Sequence, residues 1–98
     1  MPNAVFFNSY KLKSGKSADD FKLAVAELVK SVAVLKGFVE FKLMRDGDNW
    51  ADYTTWETME DAKNFAENGG QTEAAQHFYS FLNFNTCVSR FYDVESSK

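Results

Sequence analysis

The chain has one cysteine, one histidine and one proline in 98 residues. A lone thiol, Cys87, forms no disulfide within the chain, which suits a reducing compartment, and a buried inert thiol is its ordinary role. One cysteine and one histidine also argue against a structural zinc site, whose ligands are drawn mainly from those residue types. Basic residues are scattered, 11 Lys and Arg against 14 Asp and Glu, for a net charge of −3. With no basic cluster to neutralise phosphates, nucleic acid is not an expected partner. No apolar run approaches the ~20 residues that span a bilayer, and Met1 to Phe7 lacks the charged-then-apolar layout of a secretory signal. The expectation is therefore a soluble cytoplasmic protein without membrane contact. A nucleophile–base arrangement, a phosphate-cradling glycine loop and a nucleotide fingerprint are missing too.

Aromatics are what the chain has in plenty: ten Phe, four Tyr and two Trp, 16% of its residues. A single domain spanning 1–98 has a modest core, so part of this load is expected to line a pocket or a subunit interface.

The pattern divides into alternating strands and helices. Val5 to Leu12 reads as a strand with Phe6, Asn8 and Tyr10 on one face and Val5, Phe7 and Ser9 on the other. Ser17 is placed to cap a helix from Ala18 to about Leu35, with Asp20 answering it in a capping-box manner. Phe21, Val25, Leu28, Val29, Val32 and Leu35 form its apolar stripe. Gly37 ends that helix and opens a hairpin, Gly37 to Met44 and Trp50 to Trp56, turned around Asp46-Gly47. Thr58 then caps a second helix, with Asp61 three residues on, and Asn68-Gly69-Gly70 stops it. A further helical piece spans Thr72 to Asn83. The last strand, Asn85 to Val94, sets Val88, Arg90, Tyr92 and Val94 against Cys87, Ser89 and Phe91.

This order is βαββαβ, the split arrangement of a ferredoxin-like α+β sandwich with a four-stranded antiparallel sheet. Two helices cover one face of such a sheet. The other face would expose aromatic and aliphatic side chains, and a second copy packed sheet to sheet would cover it. A homodimer closing into an α/β barrel is the expected assembly.

Leu35-Lys36-Gly37-Phe38, the strand end Tyr53-Thr54-Thr55-Trp56-Glu57 and the following Glu60-Asp61-Ala62 resemble the antibiotic biosynthesis monooxygenase family of dimeric α/β barrels. In that family "GF" opens the second strand and "W-E" closes the third before an "E/D-A" helix. The resemblance implies oxygenation of a small electron-rich aromatic, an anthrone or hydroquinone, with no metal or flavin. The deprotonated substrate supplies electrons to O₂, while the protein shapes an apolar cavity, stabilises the substrate anion and excludes water.

Carried onto this chain, the resemblance marks Trp56 as the strand-end tryptophan, which would line the pocket or plug the core beneath the second helix. Some members have an asparagine four residues earlier to hold a substrate oxygen. Here Asp52 takes the position, as a base or as an exposed hairpin acid. Arg90 sits where some members aim an arginine at substrate, to balance a phenolate or to pair with Glu40 or Asp93 across a dimer. Asn8, an amide between Phe6 and Tyr10, needs hydrogen-bond partners if buried, and a ligand is one candidate. Tyr10, Tyr53 and Tyr79 have hydroxyls to lend to a pocket, and tyrosine also serves dimer seams. The superfamily's haem-degrading members are similar in an asparagine on the first strand and a histidine after "A-A" on a later helix. Asn8 and His77 match, so haem held by His77 is the alternative cofactor. Phe65 stands where those enzymes have a tryptophan. The remaining alternative is a non-catalytic dimeric domain that binds a small apolar ligand.

Overall fold

A computed structural model of the chain describes residues 3–98. Met1 and Pro2, the start of the run read above for a leader, lie outside the described residues. The elements follow as β1 (Ala4–Leu12), α1 (Ala18–Val32), β2 (Phe38–Asp46), β3 (Asn49–Trp56), α2 (Met59–Asn68), a 3₁₀ turn (Gly69–Gln71), α3 (Glu73–Tyr79) and β4 (Leu82–Asp93). The four strands form one antiparallel sheet in the order β2-β3-β1-β4. This is the expected ferredoxin-like arrangement, and no helix among the described residues is long and apolar enough to cross a membrane.

Local chemistry sets the element ends. Ser17 Oγ accepts from Asp20 N at 3.2 Å and Thr58 Oγ1 from Asp61 N at 3.0 Å, so both helices start at hydroxyl caps. Such a cap stabilises its helix by about 1 kcal/mol. Thr72 caps α3 in the same way. The β2–β3 turn pairs Asp46 with Asn49 and has Gly47 at φ +62°, the conformation for which a two-residue hairpin selects glycine.

Two boundaries differ from those expected. Helix α1 ends at Val32, not Leu35, and the chain turns through bonds from Leu35 N to Val32 O and from Phe38 N to Leu35 O. Gly37 closes this turn at φ +84°, where a Cβ would collide with the Asp61 side chain. The third helix stops at Tyr79, and β4 begins three residues before the expected Asn85. Leu82 and Asn83 pair with Leu12 and Lys11, so the ladder with β1 claims residues whose spacing also suits a helix.

The helices cover the Phe6–Asn8–Tyr10 face of the sheet. Phe21 of α1 is fully buried beneath them, with its ring 5.0 Å from Trp50, 5.6 Å from Phe78 and 6.0 Å from Tyr10. Among the described residues the opposite face lacks a helix. It carries Phe7, Tyr53, Arg90 and Glu40, with Val88, Tyr92 and Met44 exposed.

Candidate functional site

The register places Asp52, Asn8 and Ser89 directly opposite one another on β3, β1 and β4. Strand alternation turns Phe6, Asn8 and Tyr10 toward the helices, and their cross-strand partners with them. Together these residues form a polar row across an otherwise aromatic surface. Above it lies a cavity of about 290 Å³, walled by Phe6, Phe41, Leu28, Phe65, Phe78 and Tyr79. Asn8, Tyr10, Asp52, Thr54, Cys87 and Ser89 also line it.

Asp52 is 6% exposed and is held from two sides. Tyr10 donates its hydroxyl to Oδ2 at 2.5 Å, and Asn8 donates Nδ2 to Oδ1 at 3.3 Å. Ser89 donates to Asn8 Oδ1 at 2.5 Å, which fixes the amide so that its donor faces the acid. Burial is the dominant influence on Asp52 and outweighs the two donors, raising its pKa from 3.8 to about 6. Tyr10 is pushed well above the ordinary phenol range, chiefly by burial and then by the Asp52 charge, so it stays a donor. Burial and then Asp52 also raise Tyr79 and Cys87, leaving both protonated near neutrality. The result is a carboxylate in an apolar cavity whose proton affinity approaches neutral pH, the condition for efficient general-base work.

The structure separates the residues read from the sequence. Asn8, Asp52, Tyr10, Phe65 and Tyr79 come together around the one cavity. Asp52 is buried, which overturns the exposed hairpin acid, because Trp50, Thr54 and Trp56 on its face are buried with it. Trp56 does not line this cavity. At 1% exposure it plugs the core, stacked on Phe65 at 5.1 Å and donating Nε1 to Thr54 Oγ1 at 2.7 Å. Arg90 does not point inward. It pairs with Phe7, so alternation turns it to the helix-free face, while its neighbour Ser89 faces the cavity.

His77 is exposed on α3, edge-on to Phe81 at 5.2 Å and away from the cavity. An axial iron ligand in this cavity cannot come from His77, and Cys87, which does line it, keeps its thiol protonated. The residues present therefore do not fit a histidine-ligated haem. Sequence reading overlooked Ser89, Thr54 and Phe41 at the cavity. Their period-2 spacing from Phe91, Asp52 and Leu43 was the available signal.

The sequence matches the model of the antibiotic biosynthesis monooxygenase family over residues 5–77. The chain belongs to this family. A comparison with curated protein sequences finds no match. Among solved structures, a variant of SnoaB, a cofactor-independent oxygenase from Streptomyces nogalater, is similar with a TM-score of 0.79 at 14% identity, over 97% of this chain and 95% of that one. A hydroxynitrile lyase from Passiflora edulis gives 0.74 at 17% identity, over 98% and 96%. A haem-degrading protein from Mycobacterium tuberculosis, in haem-free form, gives 0.71 at 18% identity, over 99% and 96%. Identities this low establish the shared fold, and the fold hosts several chemistries.

Proposed function

We propose that this member of the family is a cofactor-independent monooxygenase that oxidises a small quinol- or anthrone-like aromatic with O₂. The observation that carries the proposal is Asp52, a buried acid with a pKa of about 6 at the floor of an aromatic cavity. Asp52 takes the acidic proton of the bound substrate, and Tyr10 and Asn8 keep its carboxylate aimed while leaving lone pairs free. The Tyr79 hydroxyl, protonated and lining the same cavity, donates to the substrate oxyanion.

The resulting anion passes one electron to O₂, and the radical pair joins as a peroxide at the ring carbon. Loss of a second proton from that carbon cleaves the O–O bond. One oxygen stays as the new carbonyl, and the other leaves as water, taking up that second proton and the one held by Asp52. The two bonds to hydrogen that the substrate loses supply all four electrons. The aromatic walls exclude water and hold the ring flat against the polar row.

The protein also works, on this proposal, as a homodimer joined through its helix-free sheet face. Val88, Tyr92 and Met44 are 42%, 49% and 40% exposed there, apolar surface that a second copy would cover.

Oxygen uptake by the metal-free protein with a panel of anthrones and hydroquinones tests the reaction. Uptake that drops by roughly 10²–10⁴-fold in Asp52→Asn is the expected result, the usual worth of a general base. Full activity in that variant would remove Asp52 from the chemistry, and silence across the panel would shift the protein toward ligand binding without turnover.

A further inference from the structure

A second cavity, of about 310 Å³, abuts the Asp52 cavity. Val32, Phe65 and Gly69 line both, so the Phe65 ring is the wall between them. That ring is stacked on Trp56 and edge-on to Phe6 at 6.1 Å. It also lies over Gly69, where a Cβ would come within 2.5 Å of it. Only glycine at 69 lets the wall stand where it does.

The second cavity differs in chemistry from the first. Trp56, Val32 and Leu35 supply apolar surface, while Ser31, Lys36, Asp61, Asn64 and Asn68 bring polar groups. Asn68 donates Nδ2 to Asn64 Oδ1 at 2.7 Å and to Asn64 O at 3.1 Å. The Asn64 amide nitrogen therefore remains a donor. A cation, an amide donor and one carboxylate acceptor around an aromatic face suit an uncharged segment bearing hydroxyl or carbonyl oxygens. A hydroxyl or carbonyl can meet the Asn64 donor without setting a charge against Asp61, a match that neither a carboxylate nor a bare hydrocarbon makes.

We infer that this cavity is a subsite for the distal, uncharged oxygenated part of a polycyclic substrate whose reacting ring sits at Asp52, with Phe65 limiting how far the ring system extends. The inference rests on the Asp52 cavity being the substrate site. Compact one- and two-ring substrates sit within the first cavity alone, whereas on this inference three rings with an oxygenated substituent reach past the edge of Phe65 into the second.

Binding of two oxidised, turnover-inert probes by calorimetry tests this: 1,4-naphthoquinone and 2-(hydroxymethyl)anthraquinone. The larger probe is expected to bind roughly tenfold tighter, the scale on which one added pocket contact discriminates. Asn64→Phe, which projects a ring into the second cavity from its exposed rim, cancels that advantage and leaves naphthoquinone affinity unchanged. Phe65→Ala enlarges the advantage. In a Trp50→Phe background, quenching of Trp56 by the larger probe alone gives an independent local signal. If the larger probe has no advantage, or keeps it in Asn64→Phe, the subsite is refuted while the Asp52 cavity stands. If neither probe binds, the Asp52 cavity as a substrate site falls and takes the subsite with it.

Discussion

Tyr10 and Asp52 face each other diagonally across β1 and β3, the tyrosine hydroxyl 2.5 Å from Oδ2 in a wall of buried aromatics. The donor opposes the effect of burial on Asp52. Tyr10→Phe removes it, so the Asp52 pKa rises further above about 6. The acid limb of the kcat/KM–pH profile, set by Asp52 in the free protein, should move to higher pH in Tyr10→Phe. An unmoved limb would mean that another group controls the profile.

Stability carries the same signature. The folded pKa of Asp52, about 6, lies above its ordinary 3.8, so the folded protein holds this proton more tightly than the unfolded chain does. Its contribution is complete below pH 3.8 and is lost as pH rises through about 6. The swing amounts to roughly 3 kcal/mol in the two-state limit. Asp52→Asn removes it, and Asn8 can reverse its amide to keep the row bonded to residue 52 and Ser89. Urea unfolding should find the variant roughly 1–3 kcal/mol more stable than wild type near neutral pH, with the gap closing toward about pH 4. A constant gap would contradict the linkage.

Trp56 offers a contrast between structure and chemistry. Trp56→Phe loses the bond to Thr54 and part of the stack on Phe65. It is expected to cost about 1–3 kcal/mol in unfolding free energy. Turnover of compact substrates should change less than about threefold, because the residue lies outside the Asp52 cavity. A selective fall in kcat would return Trp56 to the reacting site.

His77 tests the placement from the other direction. Haemin titrations of His77→Ala should overlay those of wild type, since this imidazole is on the outer side of α3. Loss of a Soret shift in the variant would restore the axial-ligand idea.

The helix-free face yields a fifth prediction. Light scattering should give a dimer at micromolar concentration and a monomer for Val88→Asp, which places a carboxylate on the exposed apolar face next to Arg90. A wild-type monomer would remove the sheet-to-sheet assembly.

Much of this architecture was legible from short-range chemistry. Ser17, Thr58 and Gly47 announce helix starts and a turn through rules that act within a few residues, and each does what its type dictates. The site was legible only in part. Alternation grouped Asn8 with Tyr10, and Asp52 with Trp56, but it assigns sides only relative to a neighbour. Arg90 was therefore grouped correctly with Val88 and Tyr92, but whether that group met a substrate or a second copy stayed open. The ladder in which Asn8 meets Ser89 decides the matter, and that pairing joins the two ends of the chain. The fate of Asp52 was hidden for a similar reason: the helices that wall its cavity come from distant parts of the chain, which no local pattern around residue 52 reports.

The polar row has a consequence for the order in which the protein matures. Asp52 and Asn8 are separated by 44 positions, and Asn8 and Ser89 by 81. During synthesis the first two are available while the strand that supplies the third is still being made. Until that strand docks, Asn8 has no serine to orient its amide, and the edge of β1 is unpaired. A ribosome-bound chain short of its last strand would thus have its helices and hairpin but no aligned acid. Long-range pairings of this kind form slowly, so the ability to bind an aromatic ligand should lag behind the appearance of helix in refolding.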